Sequence, residues 1–468
     1  MKRKLTILET ISITSMLFGL FFGAGNLIFP AYMGQSAGAN VWPALLGFLI
    51  TGVGMPLLAV ISLGLTGSKG LLDMSSRISK PFGYFFTCAL YLTIGPFFAC
   101  PRCITVPFEV GIKRLVPSSV NEHISLLIFS LIFFGLILYF SLRPGKILVW
   151  IGKILNPIFI IVLGILVITA LVHPAGSISS FTPLSNYQGG ALSQGVLDGY
   201  NTMDTLAGLA FGIIVVDVIK KLGIEKDDDV AKSTVKAGLF SCLFMAFIYI
   251  LVALAGAASR GYAAESDNGG AVLYSIANHY FPSFGPILLA AIVFFACLKT
   301  IIGLVTSCAT TFSEMFPKFL SYNKWVVLFS SITFAIANVG LTSIIQISLP
   351  VLMMLYPLAI TLTLLALGSR IFGHHQEIGI PVMTSVFISS IFDLIRALPA
   401  SWISAIHAER MIQFLETYLP FYKIGFGWIC PATLGLLIGF SILLVQKVSQ
   451  KSLKVSHKGG MPQRPLVR

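Results

Sequence analysis

Twelve long apolar segments, separated by polar loops, constrain this chain more than any other feature of its sequence. A membrane-spanning α-helix needs about 20 mostly apolar residues in a row, because the hydrocarbon core of a bilayer is about 30 Å thick. The segments lie at approximately 8–33, 41–66, 82–110, 123–142, 147–172, 196–219, 234–258, 284–312, 325–341, 343–368, 380–403 and 425–446. The sequence therefore predicts an all-α polytopic membrane protein with about twelve transmembrane helices and both termini on one side.

The scarcity of charged residues excludes a water-soluble protein. Only 10% of the 468 residues are charged and 56% are hydrophobic, whereas soluble domains are about 25% charged and about 45–50% apolar. The charged residues are too few to cover a water-facing surface of this size, which excludes both a soluble enzyme and a disordered chain. The seven histidines lie in loops, at segment ends or in the tail, so the sequence predicts neither an enzyme site within the membrane nor a cofactor.

The distribution of basic residues predicts the orientation of the chain. The net charge is +13, and in a membrane protein such an excess is explained by lysines and arginines that concentrate in cytoplasmic loops. Most of them lie in loops on the side of the N-terminus, and the few on the opposite side are Lys113, Arg114, Arg260, Arg396, Arg410 and Lys423. We therefore predict cytoplasmic termini, a single transmembrane domain over 1–446, a basic cytoplasmic tail over 447–468 and no nucleic-acid partner.

Two apolar segments contain residue clusters that interrupt a helix. The first segment contains Gly19 and the Gly-Ala-Gly-Asn run at 23–26, and the sixth contains the polar run 198–204. Isolated glycines such as Gly135 and Gly164 fit small-residue contacts between helices, but an asparagine among several glycines does not. The two clusters begin two successive five-helix blocks. Interrupted helices at corresponding positions of two halves indicate a transporter built from inverted repeats.

Five motifs follow one another along the whole chain. They are FGAGNLIFP at 22–30, GPFFACPRC at 95–103 continuing to FEVG at 108–111, GYNTMD at 199–204, ACL at 296–298 followed by GL at 303–304, and QISLPV at 346–351 running to YP at 356–357. Together they resemble the bacterial branched-chain amino acid:cation symporters, the LIVCS or BrnQ-type carriers. The resemblance implies a leucine-transporter-type fold: two inverted five-helix repeats, about 8–172 and 196–368, and two extra helices, about 380–446.

The resemblance also implies a function. Carriers of this family take up leucine, isoleucine and valine in symport with Na⁺ or H⁺, through the inner (cytoplasmic) membrane of bacteria. The partners expected for this chain are accordingly a small amino acid substrate, a coupling ion and the lipid bilayer, and the sequence predicts no particular oligomeric state.

An amino acid zwitterion needs hydrogen-bond donors for its carboxylate, acceptors for its ammonium group and an apolar pocket for its side chain. The backbone amides of Ala24, Gly25 and Asn26 begin a half-helix whose positive dipole end suits a carboxylate. Carbonyl groups that end the preceding half-helix suit a cation or the ammonium group. The predicted substrate-binding residues are Phe21, Ala24, Gly25, Asn26, Tyr91, Gly95, Gly199, Tyr200, Asn201, Thr202 and Met203, with Phe294 as a further candidate. Ordinary helix packing is the alternative for the apolar ones.

The ion-coupling residues are predicted near the breaks of the first and sixth helices and on the eighth helix. By similarity to the fold, Asn26 would bind an ion through its side-chain carbonyl group. Asp204 either meets a cation, a substrate ammonium group or a basic partner, or caps the second half of its helix. The predicted set is Gly19, Phe22, Asn26, Thr202, Asp204, Ala296, Lys299 and Thr300. These residues would hold Na⁺ if sodium is the coupling ion.

Lys299 departs from the family pattern, which leads us to expect an uncharged residue at this position. We hypothesise that its ammonium group replaces one Na⁺, and that desolvation lets the group release and regain a proton. The alternatives are a lysine paired with Asp204 or another carboxylate, or one that reaches a water-filled vestibule.

The other intramembrane charges have structural interpretations. Arg102 and Glu109 lie two helical turns apart and either form part of a gate or extend toward the membrane surface; we favour a structural role over contact with the substrate. Asp393 and Arg396 lie three residues apart on one helix, a spacing that predicts an ion pair.

Other functions stay open at this point. A channel or an amino acid sensor on the same scaffold would need a continuous polar pore or a large output domain, and the sequence shows neither. A related carrier for another neutral amino acid, such as methionine, is closer, because an apolar pocket discriminates by only about 1–3 kcal/mol per methylene group.

Overall fold

The computed structural model describes residues 5–114, 116–117, 120–143, 153–173, 176–224, 226–373 and 375–458, and within them the chain is helical without any strand. Nine described helical stretches are long and apolar enough to cross a membrane, and a bent pair adds a tenth. This confirms the predicted all-α membrane fold. The basic residues at 2–4, the start of the fifth predicted segment at 147–152 and the end of the predicted tail at 459–468 lie outside the described residues.

The helices follow the predicted segments closely. The helices of the first repeat are α1 (Ile7–Phe21), α2 (Gly25–Ala37), α3 (Val41–Leu49), α4 (Met55–Thr66), α5 (Leu71–Ser76), α6 (Lys80–Leu92), α7 (Ala99–Val110), α8 (Glu122–Ser141) and α9 (Asn156–Val172). A short α10 (Ser185–Gln188) precedes the second repeat. The helices that follow are α11 (Ala191–Tyr200), α12 (Asp204–Lys221), α13 (Asp227–Ala258), α14 (Gly269–Tyr280), α15 (Gly285–Met315), α16 (Tyr322–Ala337) and α17 (Leu341–Phe372). The chain ends with α18 (Gln376–Arg396), α19 (Ala400–Ala405), α20 (Glu409–Tyr418) and α21 (Ile429–Lys458).

Two of the predicted segments contain helices that are shorter than a usual membrane span. The helix α1 has 15 residues and α2 continues it across a break, while α16 has 16 residues. The eleventh segment was predicted to reach 403, but α18 ends at Arg396. Pro399 lies three residues further on, and a proline disfavours helical backbone in the residue before it.

The third predicted segment contains a break that the sequence analysis did not predict. Gly95 has φ −91° and ψ −121°, and Phe98 has φ −132° and ψ −59°, so α7 begins a new helix after α6. The local cause is Pro96, which lacks an N–H group and disfavours helical backbone at the preceding residue.

The two repeats are joined by helices whose backbones touch. The helix α2 packs against α13 so closely that a Cβ atom at Gly34 would overlap the carbonyl oxygen of Ala253. Reciprocally, a Cβ atom at Gly256 would overlap the carbonyl oxygen of Ala31. Small residues allow membrane helices to approach in this way, and the resulting van der Waals contact drives their association.

A second pair of helices repeats this arrangement. Between α3 and α11, a Cβ atom at Gly47 would overlap the carbonyl oxygen of Leu192, and one at Gly195 would overlap that of Ala44. The helices α2 and α11 belong to the first membrane segment of each repeat, and α3 and α13 belong to the second. In both pairs, therefore, the first segment of one repeat contacts the second segment of the other. This exchange of partners is what two interlocked inverted repeats produce.

The glycines that the sequence analysis chose as packing contacts are different ones. A Cβ atom at Gly135 in α8 or at Gly164 in α9 would meet no atom within 4 Å. A glycine in an apolar run therefore does not by itself mark a helix contact.

Replacing Gly34 with valine is expected to destabilise the protein, because the added atoms overlap the backbone of α13. Overpacking of this kind costs about 1–3 kcal/mol or more. The melting temperature in detergent, followed by size-exclusion chromatography of the heated protein, should fall clearly. The matched control is Gly135→Val, which meets open space and should melt like the unchanged protein. Equal melting of the two variants would contradict the close contact between α2 and α13.

Candidate functional site

The first helix breaks between α1 and α2, as predicted. Phe22 has an extended backbone, with φ −76° and ψ 92°, and α2 begins at Gly25. The side chain of Asn26 stabilises the break, because its Oδ1 accepts a hydrogen bond of 2.9 Å from the N–H group of Gly23. An asparagine side chain that replaces a lost backbone acceptor is a common feature of helix starts.

The sixth helix breaks between α11 and α12. Met203 adopts a left-handed conformation, with φ 62° and ψ 13°, which costs about 1–2 kcal/mol for a residue other than glycine. The two half-helices meet at an angle of 40°. The break places Asp204 in the first turn of α12, where the positive end of the helix dipole favours a carboxylate.

A buried polar cluster joins the two breaks. The Nδ2 group of Asn26 donates hydrogen bonds to both carboxylate oxygens of Asp204, at 2.9 and 2.7 Å. The hydroxyl group of Tyr249, from α13, donates to Oδ2 of Asp204 at 2.6 Å and also contacts the Asn26 amide. All three side chains are at most 2% exposed. Asp204 does not cap its helix, which was one alternative, but binds side chains of two other helices.

The negative charge of Asp204 has no basic partner among the residues described. Its side-chain hydrogen bonds come from the neutral groups of Asn26 and Tyr249. A carboxylate offers about four acceptor positions, and these hydrogen bonds occupy three of them. Ionisable groups inside a membrane are costly and usually mark an ion or substrate pathway. Asp204 can therefore accept a cation, a proton or an ammonium group.

A cavity of about 40 Å³ lies where the two breaks meet. It is lined by residues of the first, third, sixth and eighth predicted membrane segments, which contain α1 and α2, α6 and α7, α11 and α12, and α15. Of the residues predicted for substrate or ion, the cavity brings together Phe21, Ala24, Gly25, Asn26, Asn201, Thr202, Met203, Asp204 and Thr300. Lining residues that were not predicted are Leu20, Gly23, Ile94, Ala99, Arg102, Cys103, Ala207, Phe211 and Leu304. The binding roles of the predicted residues stay a prediction.

Five candidates for the substrate pocket do not line this cavity: Tyr91, Gly95, Gly199, Tyr200 and Phe294. The hydroxyl group of Tyr91 donates to the carbonyl group of Ala210 at 2.9 Å. The ring of Tyr200 stacks on that of Tyr356, with 4.2 Å between the ring centres, and Phe294 packs on Phe133.

The two glycines of this group are packing positions. A Cβ atom at Gly95 would collide with Sγ of Cys308, and one at Gly199 with the hydroxyl group of Thr51.

Four candidates for ion coupling also lie outside the cavity lining: Gly19, Phe22, Ala296 and Lys299. Gly19 is nevertheless connected to the site, because its carbonyl group accepts a hydrogen bond of 3.5 Å from the hydroxyl group of Thr300. Ala296 is fully buried in α15. Phe22 faces Lys299 at the start of the first break.

Lys299 is fully buried and, among the described residues, pairs with an amide and not with Asp204 or another carboxylate. Its Nζ donates to Oδ1 of Asn156 at 2.9 Å, and the Asn156 amide donates to the backbone carbonyl and the hydroxyl group of Ser15, each at 2.9 Å. The ammonium group also lies 3.7 to 5.6 Å from the centres of three rings, those of Phe159, Phe18 and Phe22. Hydrogen bonds and cation–π contacts thus link α15, α9 and α1.

Two pairs of charged residues behave differently from the prediction. Arg396 donates to the backbone carbonyl groups of Tyr422 and Lys423, while Oδ2 of Asp393 has no hydrogen-bond partner among the described residues. The predicted ion pair between Asp393 and Arg396 is therefore wrong.

Arg102 and Glu109 do not pair with each other either. Glu109 binds Lys113 at 3.1 Å, and Arg102 lines the cavity. Arg102 is only 6% exposed, so it does not extend toward the membrane surface.

Tyr249 and Asn156 are functional-site candidates that were not predicted from the sequence. Each is a single polar residue in or beside an apolar segment, and its partners are 45 and 143 residues away. The rotation of each helix decides these contacts, and no local pattern reports it. For Arg102 the signal was present, namely a charge within an apolar segment.

The cluster predicts a measurable loss of stability in Asn26→Ala. This change removes the acceptor of the Gly23 N–H group and two donors to Asp204, and a buried polar group without a partner costs about 1–3 kcal/mol. The free energy of unfolding in mixed detergent micelles should fall by that amount. The control is Asn278→Ala in α14, an exposed position, which should stay within about 0.5 kcal/mol of the unchanged protein. A loss no larger than in the control would show that the cluster does not hold the breaks.

Relatives in several bacteria match more than nine-tenths of the chain. A family model described as a branched-chain amino acid transport protein covers residues 7–446. The branched-chain amino acid permease BrnQ of Lactobacillus delbrueckii subsp. lactis is 54% identical over 452 residues, which are 96% of this chain and 99% of that protein. The permeases BraB of Bacillus subtilis and BrnQ of Escherichia coli are 41% and 38% identical, over 97% and 92% of this chain and 100% and 94% of theirs.

Solved transporters share the fold. Mhp1, a nucleobase-cation-symport-1 family transporter, aligns with a TM-score of 0.60 and 15% identity over 94% of this chain and 93% of its own. MhsT, solved in complex with L-phenylalanine, aligns with a TM-score of 0.55 and 15% identity over 85% of this chain and 99% of its own. The helical membrane fold is thus shared with these two transporters. The protein belongs to the branched-chain amino acid transport family.

Proposed function

We propose that this protein takes up leucine, isoleucine and valine through the bacterial cytoplasmic membrane, in symport with Na⁺ or H⁺ and by alternating access, with both termini in the cytoplasm. The observation that carries the proposal is the carboxylate of Asp204, buried among membrane helices and exposed to the cavity between the two breaks. Its hydrogen bonds come from neutral donors. A cation that enters the cavity would therefore be attracted by a negative charge that no basic residue described in the structure neutralises.

The proposed substrate lies between the breaks. The start of α2, at Ala24 to Asn26, offers backbone amides and a positive dipole end to the carboxylate. The apolar part of the cavity, formed by Phe21, Ile94, Phe211 and others, would hold the aliphatic side chain. The rings of Phe21 and Phe211 pack edge to face, with 5.7 Å between their centres, which gives the pocket an apolar wall without any hydrogen-bonding group.

Alternating access is supported by a second cavity. It has a volume of about 450 Å³ and is lined by Lys69, Tyr91, Glu314 and others. Tyr91 lines this cavity, and its hydroxyl group donates to the carbonyl group of Ala210, next to Phe211 of the first cavity. Opening of this hydrogen bond would connect the substrate site to the side of the membrane on which Lys69 lies, proposed to be the cytoplasm.

Two arrangements can couple an ion. In the first, oxygen atoms around the breaks, from Asn26, Thr202 and Asp204, bind Na⁺. In the second, Lys299 provides a fixed cation in place of one Na⁺, and its protonation couples transport to H⁺. The second is supported by the contacts of Lys299 with α1 and α9, because loss of its charge would weaken the link between three helices.

Uptake of labelled leucine into proteoliposomes tests the proposed transport. We expect inward Na⁺ or H⁺ gradients to drive it, and unlabelled isoleucine and valine to compete more strongly than any polar amino acid. Asp204→Asn should lower the initial rate at least about tenfold, because the bound cation then loses its negative partner, and removing one partner of a buried charge pair costs about 2–5 kcal/mol. Asp393→Asn, a buried aspartate in α18, is the control and should keep the original rate. An uptake rate that depends on neither the Na⁺ nor the H⁺ gradient, or that is unchanged in Asp204→Asn, would contradict the proposal.

Lys299→Thr separates the two modes of coupling. If the lysine replaces a sodium ion, uptake by the original protein follows the pH gradient, and the threonine variant loses that dependence and requires Na⁺ instead. The measurement is leucine uptake at several external pH values, with and without Na⁺. Strict dependence on Na⁺ without any effect of pH, unchanged in Lys299→Thr, would exclude this role for Lys299.

A further inference from the structure

Arg102 places a guanidinium group in the wall of the cavity that also contains Asp204. It lies in the first turn of α7, directly after the unpredicted break of the third helix. Its side chain is more than nine-tenths buried. Arg102 thus brings a positive charge into the wall of this cavity from the helix that follows the break.

The guanidinium group has few partners of its own. Its Nη2 donates to the carbonyl group of Asn201 at the long distance of 3.4 Å, and its Cζ lies 5.1 Å from the centre of the Phe29 ring. Among the described residues, no carboxylate forms an ion pair with Arg102, and Glu109 of the same helix binds Lys113. A guanidinium group has five N–H donors, so the described residues leave most of its hydrogen-bonding capacity unused.

A buried cation without a counter-ion is costly, and the planar guanidinium group matches a carboxylate through two parallel hydrogen bonds. The cavity thus contains one positive and one negative side chain, neither of which neutralises itself through an ion pair with a described residue. An α-amino acid presents the complementary pair of charges. Arg102 suits its carboxylate, and Asp204 suits its ammonium group or the coupling cation.

We propose that Arg102 binds the carboxylate group of the transported amino acid and selects α-amino acids over amines and alcohols with the same side chain. The inference rests on the transport function proposed above. The residue contacts Asn201 in the break of the sixth helix and Phe29 in α2. A substrate carboxylate bound there would therefore connect the third helix to both broken helices, so that only a complete amino acid joins them.

Competition between leucine and leucinol tests the role of Arg102. Leucinol keeps the ammonium group and the side chain of leucine but has an uncharged hydroxymethyl group in place of the carboxylate. In the unchanged protein, leucinol should inhibit labelled leucine uptake at least tenfold more weakly than unlabelled leucine does. In Arg102→Gln, the KM for leucine should rise at least tenfold while inhibition by leucinol changes less than twofold, so the discrimination disappears. Arg102→Lys, which keeps the charge but not the paired hydrogen bonds, should show an intermediate ratio.

The ratio of leucine to leucinol is measured within one variant, so it does not depend on how much protein folds. Arg143→Gln, at an exposed arginine after α8, is the control and should keep the original ratio. A ratio that stays unchanged in Arg102→Gln or in Arg102→Lys would overturn the assignment of Arg102 while leaving leucine transport intact. Absence of leucine uptake by the unchanged protein would instead contradict the transport function and, with it, this inference.

Discussion

The hydrogen bonds between the amide group of Asn26 and the carboxylate of Asp204 are the interaction on which the rest of the site depends. A broken helix within a membrane leaves backbone groups without partners, and such backbone is tolerated only where protein buries it or where it lines a cavity. Asn26 serves both requirements, since its oxygen accepts from Gly23 and its nitrogen binds the other break. The hydroxyl group of Tyr249, on α13, holds the same carboxylate in place.

The close packing of the two repeats makes this cluster possible. Glycines let α2 touch α13 and let α3 touch α11 at the level of the backbone, so α2 and α13 hold Asn26 and Tyr249 beside Asp204. These glycine contacts pack the helices tightly, while the irregular backbone of the two breaks, the carboxylate of Asp204 and the guanidinium group of Arg102 surround one cavity. Polar and charged groups are thus concentrated at the point where the chain is least regular, which is typical of a functional site in a membrane protein.

The sequence predicted what depends on local chemistry. The glycines and the asparagine at 23–26, and the polar run at 198–204, disfavour a continuous helix by themselves, and both breaks occur there. The pair Gly95–Pro96 also disfavours a continuous helix, in the third predicted segment. No break was predicted there, because the surrounding segment is long and apolar. Family motifs added the order of the repeats, which local chemistry alone does not specify.

Contacts that depend on helix rotation could not be predicted. Lys299 turns toward Asn156 and three phenylalanine rings, and Tyr91 turns toward Ala210 instead of the cavity. For Arg396, a spacing of three residues from Asp393 permitted an ion pair, but carbonyl groups near Tyr422 lie within reach and bind the guanidinium group instead. Such competition is decided by the chain that folds back against the helix, and the spacing within one helix does not report it.

The central claim is that the transported amino acid binds between the breaks of the first and sixth helices. A structure determined with leucine bound tests it most directly. The amino acid is expected in the cavity beside Asn26 and Asp204, with its carboxylate within hydrogen-bond distance of the α2 amides or of Arg102, and its side chain against Phe21 and Phe211. Leucine bound elsewhere, with this cavity closed to it, would contradict the account.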